Sequence, residues 1–261
     1  MRTVISLIIV LHGITSCNQN PESTHTNKIS YYEGVSVSEI SFLTSDSLQV
    51  YADFFISDVE EPSIILFHQA SANARSEYGT IVPKLAEAGF NVLAVDQRSG
   101  GQRFGNYNRT VASLTREYAY CETYPDFEAS VKYLREEGIK GKIIAWGSSY
   151  SGSLAIELAA RSLEIAGVIA FSPASGGPMK DCKPDEYIQS IDKPLLLMRP
   201  KREMQVPSVA SQFQLAQDNG HQTYIAEIGT HGSSMMVEDR AKGDVRANWD
   251  KVFSFLSVFQ E

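Results

Sequence analysis

Two kinds of hydrophobic pattern divide the chain. Residues 35–43 and 48–56 alternate apolar with polar side chains and are separated by Thr44-Ser45-Asp46-Ser47. Period-two alternation around a short polar turn predicts an antiparallel hairpin at a sheet edge. Beyond it the runs 63–67, 91–95, 142–145, 166–171, 194–198 and 222–228 are short and largely apolar throughout. Residues 78–88, 126–137, 154–161, 209–217 and 245–259 carry apolar positions at helical spacing. Apolar strands alternating with helices predict a mostly parallel α/β sheet covered on both faces. Ligands of such sheets bind at the carboxyl ends of strands, so reactive groups are expected just after strands.

The 261 residues, 43% hydrophobic and 21% charged, suit one α/β domain with a substantial core. A net charge of −8 excludes nucleic acid as a main partner, because nothing supplies the counterion release that phosphate contacts bring. The first 17 residues read differently from the rest. Arg2 precedes an apolar run from Val4 to Leu11 that is too short to span a membrane, as in an export signal. Ile14-Thr15-Ser16-Cys17 resembles a bacterial lipobox, with isoleucine where leucine is commoner and His12 interrupting the apolar region. That resemblance implies diacylation of Cys17 and an exported protein anchored to a bacterial membrane, the alternative being a plain cleaved signal. Residues 18–34 then form a tether and 35–261 the folded domain. Cys121 and Cys182 can pair in an oxidising compartment, closing a loop worth about 4 kcal/mol; otherwise they are two separate buried thiols. No cysteine or histidine stands at a metal-ligand spacing, and no metal or organic cofactor is expected.

The strongest chemical signal is Ile143-Ile-Ala-Trp-Gly147-Ser-Ser149-Tyr-Ser-Gly152. An apolar strand runs into a Gly/Ser turn and a helix follows at once, the form of a nucleophile elbow. Very small residues are needed two before and two after the nucleophile, where strand and helix approach. Ser149 meets this best, with Gly147 before it and Ser151 after it, although Ser151 replaces the commoner glycine. Ser148 would put Trp146 at the tight position. Two further groups follow strands in the expected order. Glu203 is the sole carboxylate between its strand and Val206-Pro207, and His231 comes directly after the last strand. A serine needs an imidazole to take its proton, and the imidazole needs a carboxylate to fix its tautomer. His221 stands at the wrong end of the sheet, and His68 precedes the elbow. For the oxyanion, one backbone N–H is expected from Tyr150 and the other from the loop after Phe67, with Ala70 first and Gln69 second.

Leu66-Phe-His-Gln-Ala70, Val95-Asp-Gln-Arg-Ser-Gly100, the elbow, Glu203 before Val206-Pro207, and His231-Gly232 together resemble an α/β-hydrolase of the dienelactone-hydrolase-like and small carboxylesterase branch. The resemblance covers about residues 35–261. It implies Ser149 as nucleophile, Glu203 as acid, His231 as base, Ala70 and Tyr150 as oxyanion donors, and a small acyl substrate. Dienelactone hydrolases proper carry a cysteine nucleophile, so Ser149 shifts the expectation toward ester or acyl hydrolysis. Rival readings are a lipid-anchored binding protein that has lost turnover and a peptidase of the same fold. The long connections 98–124 and 172–191 are expected to shape an open site without a lid domain, stapled together if Cys121 meets Cys182. Met179, Met198 and Tyr150 either line an acyl pocket or pack the core. Arg98 either meets an acidic substrate group or forms a structural ion pair.

Overall fold

The computed structural model describes residues 31–260. Its eight strands are β1 (Ser38–Leu43), β2 (Gln49–Phe55), β3 (Ser63–Phe67), β4 (Asn91–Asp96), β5 (Ile143–Ser148), β6 (Ile165–Phe171), β7 (Leu195–Pro200) and β8 (Gln222–Ala226). They form one sheet in the order β1-β2-β4-β3-β5-β6-β7-β8. The β1–β2 and β2–β4 pairs are antiparallel, whereas every pair from β4 through β3 to β8 is parallel. The expected edge hairpin is therefore present. The lone turn Thr44–Leu48 closes it with the Thr44 hydroxyl accepting from Leu48 N–H at 2.9 Å.

The helices are α1 (Ala74–Tyr78), α2 (Ile81–Glu87), α3 (Arg109–Ala112), α4 (Tyr124–Glu136), α5 (Tyr150–Arg161), α6 (Asp185–Ser190), α7 (Pro207–Asp218), α8 (Glu238–Ala241) and α9 (Arg246–Leu256). Residues alternate sides along each buried strand, so β3 sends Ile65 and Phe67 one way and Ile64 and Leu66 the other. The first face packs under α4, α5, α6 and α7. The second packs under α1, α2 and α9, with Trp146, Trp249 and Phe171 at its centre. The order reverses between β3 and β5, which makes the carboxyl ends of these two strands the switch point where such sheets bind ligands.

The helix expected over 78–88 is shorter, α2 over 81–87, with Tyr78 ending the separate helix α1. Pro83 lacks an N–H and cannot complete a bond back into the preceding turn, so α2 starts afresh at Ile81. Asn73 caps α1 by accepting from Ser76 N–H at 2.9 Å. Residues 31–34, placed by the sequence in the tether, belong in part to the fold. Tyr32 is fully buried, bridges to Val35, and donates its hydroxyl to Asp53 at 3.0 Å. Asp53 is itself clamped by Arg75 at 2.8 Å and Arg109 at 2.7 Å, a buried ionic knot that anchors the chain where it enters the domain. The export signal, Cys17 and most of the tether lie outside the described residues. Cys121 and Cys182 form a disulfide, which joins the 3-10 turn Tyr120–Thr123 to the segment after Gly177–Met179. Among the described residues no helix is long and apolar enough to cross a membrane.

Candidate active site

At the end of β5 the backbone of Ser149 takes φ 61° and ψ −122°, a conformation that side-chain-bearing residues rarely adopt. Neighbouring backbone holds it there. Ser149 N–H donates to Phe171 O of β6 at 2.8 Å, and Ser149 O accepts from Gly152 N–H at 2.9 Å. The glycine requirement at the tight position is literal. A Cβ on Gly147 would lie 2.3 Å from Ser151 O and 2.6 Å from Gly152 Cα, because α5 folds straight back over its strand. Ser151 departs from glycine without clashing, since its hydroxyl has partners. The Ser151 Oγ donates to His68 O at 2.6 Å and accepts from Gln97 Nε2 at 2.6 Å.

His231 follows β8 in the turn before the 3-10 segment Gly232–Met236. Its Nε2 lies 2.8 Å from Ser149 Oγ and its Nδ1 lies 2.6 Å from Glu203 Oε1. An ionised carboxylate only accepts, so Nδ1 carries the proton and Nε2 is left to accept from the serine hydroxyl. Glu203 sits in the 3-10 turn Lys201–Gln205 directly after β7. Its other oxygen, Oε2, accepts from Arg199 at 3.1 Å. Burial alone would raise the Glu203 carboxyl, but the hydrogen bond and charge of His231, then Arg199, outweigh it and hold the group below its ordinary value. The imidazole is 45% exposed and the carboxylate 14%, so one side of this row faces solvent while its far end is enclosed.

The residues that hold this row in place carried no role in the sequence reading. Arg199 is buried and reaches past Glu203 to Pro173 O and to Gln212 Oε1, the latter at 2.6 Å. It thereby ties the acid turn to the segment after β6. Ser172, from that segment, accepts from Gly232 N–H at 3.1 Å. Ser148 Oγ accepts from Ser233 N–H at 2.9 Å, and Trp146 Nε1 donates to Ser233 Oγ at 2.8 Å. The histidine turn is thus pinned to the strand that carries Ser149. Gly232 has to be glycine here: its φ is 65°, and a Cβ would lie 2.4 Å from Ser148 Oγ. The only advance sign of this arrangement was the small, hydroxyl-rich run Gly232-Ser-Ser after the histidine.

The loop after β3 sorts the two expected oxyanion donors. Gln69 N–H already donates to the buried Glu77 carboxylate at 2.8 Å, so it is not free to meet a substrate. Ala70 N–H, and Tyr150 N–H at the first position of α5, donate to no protein group among the described residues. His68 stiffens this loop. Burial pushes its imidazole below the usual range; Nε2 accepts from Gln97 N–H at 3.2 Å and Asn108 Nδ2 at 3.0 Å, leaving Nδ1–H to donate to Gln69 O at 2.9 Å. Arg98 forms the structural ion pair, meeting Asp126 at 2.7 Å and Asp46 at 2.6 Å. Met179, Met198 and Tyr150 are buried packing residues, not an exposed acyl lining. Tyr150 stacks on Tyr120 at 4.5 Å and donates its hydroxyl to Ser99 O at 2.7 Å. No group of three or more His, Cys, Asp or Glu able to hold a metal occurs among the described residues.

Comparison with known proteins agrees with this architecture. A profile described as the dienelactone hydrolase family matches residues 52–225. An esterase of Pyrococcus furiosus, 18% identical, superposes with a TM-score of 0.70 over 93% of this chain and 100% of its own. An α/β hydrolase of a Penicillium species is 15% identical, with a TM-score of 0.64 over 86% of this chain and 99% of its own. An acylaminoacyl peptidase of Pyrococcus horikoshii, 17% identical, matches with a TM-score of 0.62 over 86% of this chain but 41% of its own. At these identities the likeness is one of fold, the α/β-hydrolase fold. A search of curated proteins returns no match.

Ser151→Ala removes a bond to His68 O and the shortest bond of the buried Gln97 amide, which keeps only longer ones to Tyr150 Oη at 3.3 Å and His68 O at 3.4 Å, and is expected to cost about 1–3 kcal/mol in urea unfolding. An unchanged unfolding midpoint would show that the hydroxyl is merely tolerated.

Proposed function

The chain belongs to the dienelactone hydrolase family, and from that premise we propose a serine hydrolase that cleaves a carboxylic ester through an acyl-enzyme on Ser149. The observation that carries this reading is the continuous row Glu203–His231–Ser149, with contacts of 2.6 and 2.8 Å. In the proposed sequence the Ser149 oxygen attacks the ester carbonyl while its proton passes to His231 Nε2. Glu203, kept ionised by Arg199 and by the histidine itself, stabilises the imidazolium without taking the proton. The negative charge on the carbonyl oxygen is met by Ala70 and Tyr150 N–H, a contribution of about 10²–10³ in rate for a single such donor. His231 then returns its proton to the leaving alcohol. A water, deprotonated by the same nitrogen, attacks the acyl-serine, releases the acid and restores the hydroxyl. No step calls for a metal or an organic cofactor.

The setting we propose is outside the cytoplasm, tethered through acylated Cys17. The Cys121–Cys182 disulfide supports it, because such bonds persist in oxidising compartments and are rare in reducing ones.

Two experiments test these readings. Ser149→Ala is expected to abolish hydrolysis of a small activated ester and covalent labelling by a fluorophosphonate, with the circular dichroism spectrum and unfolding midpoint retained. Labelling at the wild-type rate would refute Ser149 as nucleophile. For the anchor, Cys17→Ala is expected to move the protein from the membrane fraction to the soluble fraction of expressing cells; retention on the membrane would refute acylation there.

A further inference from the structure

Beside the loop that carries Ala70 lies a cavity of about 370 Å³, large enough for a group of one or two rings. Ser71, Ser99 and Gly100 line it together with Tyr118, Tyr120 and Pro178. Ser71 directly follows Ala70, and the Tyr120 ring stacks on the Tyr150 ring, so the cavity borders residues next to both proposed oxyanion donors. Tyr120 and Pro178 come from the two long connections, which the Cys121–Cys182 disulfide holds together. A substrate with its carbonyl between Ala70 and Tyr150 therefore has a covalently fixed recess on the Ser71 and Tyr120 side of the site.

The charges around the recess are informative because they do not balance. Arg98 faces it but is already matched by Asp126 and Asp46. Arg116 lies flat on the Tyr118 ring at 3.5 Å and pairs with Glu122 at 3.0 Å. Glu117 also lines the recess, is exposed, and its carboxylate has no hydrogen-bond or ion-pair partner among the described residues. Both cations that line the recess are answered by carboxylates, Arg98 by two of them, and the Glu117 carboxylate is left unpaired. We propose that this cavity is the specificity subsite of the enzyme and that it receives an uncharged, ring-sized moiety of the ester while rejecting a carboxylate. Its polar floor and aromatic wall suit a group that presents hydroxyls on one side and an apolar face on the other. This inference rests on the hydrolase reading above and refines it.

The test uses the full chain at low ionic strength and four esters in two matched pairs. One pair differs by a free carboxylate against its methyl ester on the acyl side; the other differs in the same way on the alcohol side. In at least one pair the neutral member is expected to have a kcat/KM higher by about tenfold or more, the ratio shrinking in high salt. Glu117→Lys is expected to reduce that ratio about tenfold and Glu117→Gln by a smaller factor. Glu61→Lys, the same charge change at an exposed position before β3, is expected to leave the ratio as it was. Ratios within twofold in both pairs, or an equal effect of Glu61→Lys and Glu117→Lys, would overturn the subsite. Failure of the hydrolase reading looks different: no turnover of any of the four esters and no fluorophosphonate labelling of Ser149, which would remove the subsite with it.

Discussion

How closely α5 returns over β5 is the constraint from which the rest of the site follows. At Gly147 there is no room for a methyl group, because the chain turns back sharply at Ser149. The positive φ of that serine makes the turn. It lifts the hydroxyl above the sheet and, in the same movement, leaves Tyr150 N–H at the unpaired start of a helix. Strain of this kind costs of order 1–3 kcal/mol and persists only where surrounding structure leaves no alternative. Here the surroundings are explicit: Ser149 N–H is bound to β6, and Ser151 is bound to the loop after β3.

A second constraint is the handling of buried charge. In the proposed relay Glu203 has to stay ionised to steer the imidazole, yet it sits where burial disfavours that state. Arg199 resolves the conflict from behind, neutralising one oxygen while the other stays aimed at His231. Arg199 is enclosed as well, and burial lowers its own pKa, but a guanidinium stays charged through any such shift and finds Pro173 and Gln212 as further acceptors. The acid, the loop after β6 and the first half of α7 are thereby coupled through one side chain. A comparable knot of Asp53, Arg75 and Arg109 ties β2 to α1 and α3.

Much of this was legible in the sequence because it depends on period and order. Apolar strands between helices revealed the parallel sheet, and the turn Gly147-Ser-Ser149 marked the sharp bend from β5 into α5. The chain order of Ser149, Glu203 and His231 then pointed to one rim, and the three side chains do meet there. What escaped depends on contacts between distant segments. Nothing local to Arg199 distinguishes it from a strand-end cation, and nothing local to Ser148 or Ser172 says that they pin the histidine turn. Polar neighbours place Tyr32 in the tether on sequence grounds, whereas packing in the second core and the buried Asp53 carboxylate hold it in the domain. The sequence ranks Ala70 before Gln69 as a donor, but the contact that occupies Gln69 N–H, Glu77 folding back from α1, has no local signature. The short helices α3, α6 and α8 fell below the length at which helical period becomes visible.

The central claim is that Ser149, His231 and Glu203 work as one unit, and the most direct measurement is a set of ester hydrolysis rates for Ser149→Ala, His231→Ala and the double variant. Groups that share a single proton relay are strongly non-additive, so each single variant should lose about 10⁴–10⁶ in kcat and the double variant should be no slower than either. Losses that multiply in the double variant, or a His231→Ala enzyme close to wild-type rate, would contradict the account.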